Sequence, residues 1–381
     1  MIYLDHAATS WPKPAQVLEA WSRYQRDVAG SPGRGSHRGA VEASQQVEIA
    51  RREIVAFLGA SDPSRLIFTP SCTHAINLAL AGVLRRGDHV VATALDHNAV
   101  LRTLAELEAR GEVSVTLVAP RSDGRIAVDD VVAAWQPQTR LVVASHASNA
   151  LGSLIDAAAL GELARSRNVL FLLDAAQTAG VVPIDAPRLN ADLVAIPSHK
   201  GLLAPAGVGA LWAAPGIELR PIHFGGTGGD STSLRPNLLW PQSFEAGTGN
   251  PGGIVAMAEG VRFVAEEGVL RILQRERGLL QQLREGLSAI GGVRLFGPAD
   301  PQQSVGVLSM ALEGLDAAEV GAALDSAFEI RVRTGHLCAA QAAAAVGAPA
   351  SGFVRFSVGF STTTEEIDAA ISAVREIAAS M

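Results

Sequence analysis

A chain of 381 residues with 48% hydrophobic and 18% charged residues has the composition of a globular protein and is long enough for two or three domains. Its 31 basic residues are outnumbered by 38 acidic ones, the net charge is −7, and no long basic run predicts nucleic-acid or membrane binding. The N-terminus lacks the basic start and apolar core of a signal peptide, and no run of about 18 apolar residues occurs, so we expect a soluble cytoplasmic protein.

Cysteine and histidine are too sparse for a disulfide framework or a zinc site. The two cysteines are Cys72 and Cys338, and either thiol is free for another role. The nine histidines are scattered, without close His or Cys pairs, so no metal is expected.

Strand and helix patterns alternate from the N-terminus to residue 211. This order is typical of a doubly wound α/β domain with a mainly parallel sheet. A smaller α+β domain is expected to follow, with a strand at Val305 to Met310 and a helix from Asp316 to Phe328. We predict a large domain over residues 15–255 and a small one from residues 1–14 and 256–381.

Several polar residues follow the predicted elements of the first half. Arg34 lies in a glycine-rich segment that is typical of a surface loop. Cys72 and Thr73 lie where a helix begins, and its free N–H groups can bind a phosphate, although ordinary N-capping explains them equally well. His97, after a strand, can stack on a planar ring or be purely structural. Asn149 lies in a polar loop after the next apolar strand.

Two apolar runs end in an aspartate and a lysine. Val169 to Leu173 is typical of a parallel strand buried on both faces, and Asp174 follows it. The next run leads to Lys200, and ligands of parallel sheets bind beyond the carboxyl ends of the strands. Pyridoxal phosphate requires a lysine amine and an anion at its pyridine nitrogen, which Lys200 and Asp174 can supply. The alternative is a turn-capping aspartate with a solvated lysine.

The C-terminal part carries two further candidates. In VRFSVGF the alternation leaves Arg355 on the face opposite Val354 and Phe356, where it is free to bind a substrate carboxylate or to lie at the surface. Cys338 lies in RVRTGHLC, where nearby cations favour a reactive thiolate. A buried, inert cysteine is the alternative.

The motifs together resemble those of one enzyme family. YLDHAAT, DHNAV, SNALG, DAAQ, SHKG, FEAGT, RTGHLC and VRFS occur in the family's order, from the start of the chain to STTTEEID near its end. The chain is similar to class V, fold type I pyridoxal-phosphate enzymes of the cysteine desulfurase family. Its short RTGHLC segment resembles group II desulfurases, which have a compact cysteine loop and commonly pass sulfur to an acceptor protein.

The resemblance implies a role for each matching residue. Lys200 forms the Schiff base and moves the α-proton, Asp174 pairs with the pyridinium nitrogen, and the Cys338 thiolate attacks the sulfur of L-cysteine, so that alanine leaves and a persulfide remains. For the cofactor, the resemblance implies that Gln177 donates a hydrogen bond to the phenolic oxygen and that the catalytic His97 stacks on the ring. The phosphate is expected to be held by Cys72, Thr73, Ser198 and His199, with a further contact from Thr248 of the other subunit of a homodimer. For the substrate, Asn149 and Arg355 are expected to bind the carboxylate, and Arg34 and Arg333 to line the pocket.

Three departures from the family pattern leave the substrate open. The family sequence S-G-H-K is here Pro-Ser-His-Lys, so Ser198 is displaced by one position, one residue is inserted between Lys200 and Pro205, and Leu337 replaces a second histidine before the cysteine. The hypotheses are a cysteine desulfurase, a selenocysteine lyase or other C–S lyase of the same fold, and a non-catalytic scaffold that binds partners.

Overall fold

The computed structural model of the protein describes residues 1–28, 30–227 and 238–380. Its strands, in chain order, are β1 (Ile2–Tyr3), β2 (Leu66–Thr69), β3 (Asp88–Thr93), β4 (Val113–Val118), β5 (Thr139–Ser145), β6 (Leu170–Asp174), β7 (Leu193–Pro197), β8 (Gly209–Ala213), β9 (Val293–Phe296), β10 (Val307–Leu312), β11 (Ile330–Arg331), β12 (Arg333–Gly335) and β13 (Phe353–Ser357). Its α-helices are α1 (Ala15–Asp27), α2 (Arg38–Phe57), α3 (Cys72–Val83), α4 (Asn98–Ala109), α5 (Val128–Ala133), α6 (Ala157–Ser166), α7 (Pro251–Glu267), α8 (Val269–Ser288), α9 (Ala317–Phe328), α10 (Ala340–Ala345) and α11 (Thr364–Ala379). Within the described residues, none of these helices is long and apolar enough to cross a bilayer.

The larger sheet has seven strands in the order β2-β8-β7-β6-β5-β3-β4. From β7 to β4 all neighbours are parallel, whereas β8 is antiparallel to both β7 and β2. Helices α3 and α4 cover one face of the sheet, and α2, α6 and α7 cover the other. The predicted doubly wound α/β fold with a mainly parallel sheet is confirmed.

The central strand β6 shows why its sequence is continuously apolar. Phe171 and Leu173 contact the core beneath α2, α6 and α7, while Leu172 contacts the core beneath α3 and α4, and all three are fully buried. A strand with helices on both faces has no solvated side on which to place polar residues. Burial of each such side chain contributes about 1.5–3 kcal/mol, which fixes the strand and the polar residues after it.

The smaller sheet is antiparallel, in the order β12-β13-β10-β9. Its core packs against α8, α9 and α11, with Leu308, Val354 and Phe356 buried at the centre. The N-terminus belongs to the same core, because β1 pairs with β11 in parallel and Leu4 is fully buried there. The expected α+β unit is therefore present, and the segment of residues 1–14 begins within it.

The helical stretch over residues 251–288 is broken at Gly268. This glycine has φ = 83° and separates α7 from α8. Helix α7 packs on α1 and α2 beside the large sheet, whereas α8 packs on α11 and β9. We therefore propose a domain boundary at Gly268 rather than at residue 255, which lies inside α7.

Candidate active site

Most of the predicted site residues meet at one edge of the large sheet. His97 follows β3, Asn149 follows β5, Asp174 ends β6 and Lys200 follows β7. Because the carboxyl ends of parallel strands share an edge, these side chains surround one cavity of about 260 Å³. The cavity is also lined by seven further predicted residues: Cys72, Thr73, Gln177, His199, Arg333, Cys338 and Arg355.

Asp174 lies at the buried end of the cavity. Its Oδ1 accepts a hydrogen bond from the Ala176 amide at 2.9 Å, and its Oδ2 accepts one from Ser145 Oγ at 3.4 Å. The Cys72 thiol donates to Oδ1 at 3.8 Å. Burial, and secondly the Asp174 charge, raise the pKa of the Cys72 thiol well above its usual value, so Cys72 remains protonated and is a poor nucleophile.

Lys200 follows β7 and faces the same cavity. Burial lowers the pKa of its ammonium, and the charge of Asp174 opposes this shift. A lowered pKa increases the fraction of neutral amine, which is the form that acts as a nucleophile or a base.

His97 and Gln177 are oriented by hydrogen bonds to the backbone. His97 is the N-cap of α4, and its Nδ1 accepts from the Ala99 amide at 3.0 Å. Burial lowers the pKa of His97, and an accepting Nδ1 leaves the ring neutral with its proton on Nε2. Gln177 Nε2 donates to the Ala7 carbonyl at 3.1 Å. Both side chains are therefore fixed on the cavity wall.

The start of α3 and His199 form a polar wall suited to an anion. Cys72 and Thr73 are the first two residues of this 12-residue helix, whose unpaired N–H groups carry partial positive charge. His199 Nδ1 is buried and has no hydrogen-bond partner among the described residues. Burial, together with the neighbouring lysines, lowers the pKa of His199 to about 4, so the ring is a neutral donor or acceptor.

Arg355 and Asn149 form the opposite wall. The predicted alternation in β13 is confirmed, since Arg355 faces the cavity while its neighbours face the small core. The guanidinium forms an ion pair with Asp5 and donates to the Asn149 carbonyl at 3.0 Å. Within the described residues, Arg355 Nε and Asn149 Oδ1 are buried without a hydrogen-bond partner. Asn149 Nδ2 donates to the Leu337 carbonyl at 2.6 Å.

Three predicted residues lie away from this cavity. Ser198 is fully buried, and its Oγ donates to the Pro205 carbonyl at 2.6 Å, so the displaced serine points into the loop after β7. Arg34 and Thr248 instead line a second, broader cavity of about 880 Å³, where Arg34 donates to the Gly226 carbonyl at 3.0 Å.

Two functional neighbours escaped the sequence analysis. Asp5 binds Arg355, and Lys13 donates to the His199 carbonyl at 2.9 Å. Two sequence features could have identified them: Asp5 is an aspartate that follows the first strand, and Lys13 is the only lysine besides Lys200.

Comparisons with known proteins agree with this geometry. The class-V aminotransferase family matches residues 2–370. A probable cysteine desulfurase of Methanothermobacter thermautotrophicus is 32% identical over 99% of this chain and 94% of its own, and a cysteine desulfurase of Klebsiella pneumoniae is 31% identical over 99% and 93%. The apo structure of a cysteine desulfurase from Thermococcus onnurineus superposes with a TM-score of 0.94 at 30% identity, covering 100% of this chain and 95% of the other. The chain therefore belongs to the class-V aminotransferase family, and the relatives that it matches over nearly their whole length are named cysteine desulfurase or probable cysteine desulfurase.

Proposed function

We propose that this chain is a pyridoxal-phosphate-dependent cysteine desulfurase, which converts L-cysteine to L-alanine and leaves a persulfide on Cys338. One observation carries the proposal: an amine, a carboxylate and an exposed thiol, from Lys200, Asp174 and Cys338, line a single cavity. The three residues come from separate elements, so packing alone does not require them to meet. The desulfurase names of the relatives support the same reaction.

The cavity residues fit pyridoxal phosphate. Asp174 is a buried acceptor suited to a protonated pyridine nitrogen, and Lys200 has the lowered pKa expected of a Schiff-base amine. The N–H groups at the start of α3 and the unpartnered His199 Nδ1 are suited to its phosphate. When bound, the cofactor supplies an electron sink for bond cleavage at the substrate.

The opposite wall fits an amino-acid carboxylate. Arg355 Nε is a buried donor without a partner in the described chain, and Asn149 Nδ2 has a second N–H beyond the one given to Leu337. A carboxylate bound there satisfies donors that are otherwise costly to bury. The amino acid is thereby oriented between Lys200 and Cys338.

The residues then divide the chemistry between them. Lys200 Nζ removes the proton from the substrate Cα and later returns a proton to the carbon skeleton. The Cys338 thiolate attacks the substrate sulfur, an S–S bond forms as the Cβ–S bond breaks, and the electron pair of the broken bond stays with carbon. Alanine leaves, and the sulfur on Cys338 is ready for an acceptor protein.

A homodimer is part of the proposal. The second cavity, lined by Arg34 and Thr248, also includes Phe224, a residue that is 86% exposed. A broad groove with an exposed aromatic residue is suited to a second copy of the chain, which would bring Thr248 towards the partner's site. Light scattering should give twice the monomer mass, and Phe224→Glu should lower it. The cytoplasmic location and the transfer of sulfur to an acceptor protein remain predictions.

The deciding experiment measures alanine and sulfide released from L-cysteine, with a reductant present. The wild-type enzyme should release both, and Cys338→Ala should keep its visible absorbance but lose the activity. Equal activity of the variant would exclude Cys338 as the sulfur acceptor. Release of alanine from selenocysteine but not from cysteine would favour a selenocysteine lyase.

A further inference from the structure

The backbone at the reactive cysteine has an unusual conformation. Leu337 and Cys338 are consecutive non-glycine residues with φ angles of 56° and 58°. Side chains rarely adopt this left-handed region, because Cβ then approaches the backbone carbonyl. Such a pair persists only where surrounding contacts determine it.

Two hydrogen bonds hold this segment, one at each successive carbonyl. The Leu337 carbonyl accepts from Asn149 Nδ2 at 2.6 Å, and the Cys338 carbonyl accepts from the Asn98 amide at 3.0 Å. The two donors come from the loop after β5 and from the first residue of α4, so they belong to the rigid edge of the large sheet.

The side chains on either side are also fixed. Leu337 is 6% exposed and Ala339 is fully buried, both in the core shared with the large sheet. Cys338 between them is exposed and lines the cavity. With its neighbours inside the core and both carbonyls bound, Cys338 presents its side chain to the cavity.

We propose that the Asn98 backbone amide and the Asn149 side chain are positioning groups for the Cys338 nucleophile, which hold residues 337 and 338 in the left-handed conformation that directs the thiol at the substrate. This inference rests on the proposed desulfurase function and assigns Asn149 a role beyond the substrate carboxylate.

One anchor can be removed with α4 left intact, and the proline ring then pushes away the Cys338 carbonyl that the amide had bound. Asn98 is the first residue of α4, where proline is well tolerated because the N–H has no partner within the helix. The preceding His97 has φ = −65° and ψ = 153°, which is already the conformation that a following proline requires. Asn98→Pro therefore removes the donor to Cys338, while the control Asn98→Ala removes only the side chain.

Two readouts on the holoenzyme test the proposal. The first is hydrogen–deuterium exchange of the peptide covering residues 336–343, in which the Ala339 amide donates to the His336 carbonyl at 2.8 Å. We expect faster exchange in Asn98→Pro than in Asn98→Ala. The second is steady-state kinetics with L-cysteine, where kcat should fall about tenfold while KM stays within about twofold, because a misplaced nucleophile impairs the chemical step and not substrate binding.

Equal exchange and equal kcat in the two Asn98 variants would overturn the proposal. Should Asn98→Pro not fold, as judged by circular dichroism, Asn149→Ala removes the other anchor, and unchanged exchange of the same peptide in that variant would refute its role. A wild-type enzyme that does not turn over L-cysteine defeats the proposed function alone, since the exchange comparison still tests the anchors.

Discussion

Lys13 Nζ lies 2.9 Å from the carbonyl oxygen of His199, the residue before Lys200. The same oxygen accepts hydrogen bonds from the Ser10 amide at 2.9 Å, from Ser10 Oγ at 3.0 Å and from Thr9 Oγ1 at 3.1 Å. Four donors exceed the two lone pairs of a carbonyl, so the position of this oxygen is strongly determined. The N-terminal segment thus fixes the peptide unit that carries Lys200.

Replacing Lys13 by methionine should change how stability depends on pH. Burial lowers the pKa of Lys13 to about 8 from its usual 10.5. As the pH rises, the amine therefore loses its proton at a lower pH in the folded protein than in the unfolded chain. Between about pH 8 and pH 10 the unfolded chain binds more protons, and the wild type therefore gains stability relative to Lys13→Met as the pH rises. Urea unfolding of both proteins across this range measures the difference, and parallel curves would contradict it.

Asp174→Asn should abolish most of the activity without unfolding the protein. The amide oxygen can still accept the Ala176 hydrogen bond, but a neutral side chain cannot stabilise a protonated pyridine nitrogen. We expect kcat for alanine release to fall by about 100-fold or more, which is typical of losing one fixed electrostatic contact in an active site. Ser145→Ala, which removes only the weaker neighbour at 3.4 Å, is the matched control and should lose far less activity. An active Asp174→Asn enzyme would reject the assigned role of Asp174.

The sequence was most informative where local pattern and chain order suffice. Asp174 and Lys200 follow continuous apolar runs, and because β6 and β7 are parallel neighbours, their ends necessarily meet. The alternation in β13 predicted that Arg355 lies on the face opposite Val354 and Phe356. The edge strand β4 was not predicted, since the polar residues Ser114 and Thr116 interrupt its apolar pattern.

Contacts between distant segments could not be predicted. Asp5 and Arg355 are 350 residues apart in the chain, and they meet because Asp5 forms a bridge with Ser357 of β13. Ser198 matched a motif, yet its hydroxyl turned to Pro205 because the loop after β7 folds back on itself. A motif specifies which residue occurs at a position, whereas side-chain direction depends on loop geometry that only the fold provides.

Asp5→Ala should destabilise the protein through its effect on Arg355. The Arg355 side chain is 3% exposed, and removing its carboxylate partner leaves a buried charge that, among the described residues, is bound only to the Asn149 carbonyl. Loss of one member of a buried pair costs about 3–5 kcal/mol. Urea unfolding should show this drop, and Asp5→Ala with Arg355→Met should recover part of it because the unpaired charge is gone. Equal destabilisation of the single and double variants would indicate lost packing and not an unpaired charge.

Glu276 gives a second pH-dependent prediction, with the opposite sign. Its side chain is buried in α8, beside a small cavity of about 40 Å³ that also contacts His6 and Lys200. Burial raises the pKa of Glu276 to about 8 from its usual 4.5, and neither the Arg275 charge nor the Gly306 amide offsets this. The folded protein therefore keeps the proton at neutral pH, while the unfolded chain releases it.

Glu276→Gln should remove a pH-dependent loss of stability. The contribution of Glu276 to the free energy of unfolding of the wild type is greatest below about pH 4.5. It falls by about 1.4 kcal/mol per pH unit as the pH rises towards 8, because the unfolded chain releases a proton that the folded state retains. Glutamine is neutral throughout and has no such slope, so the variant should gain on the wild type from about pH 5 to pH 8. Urea unfolding at several pH values measures the gap between the two curves, and the buried His6, present in both proteins, cancels from it. A constant gap would mean that Glu276 ionises in the folded state as it does in water.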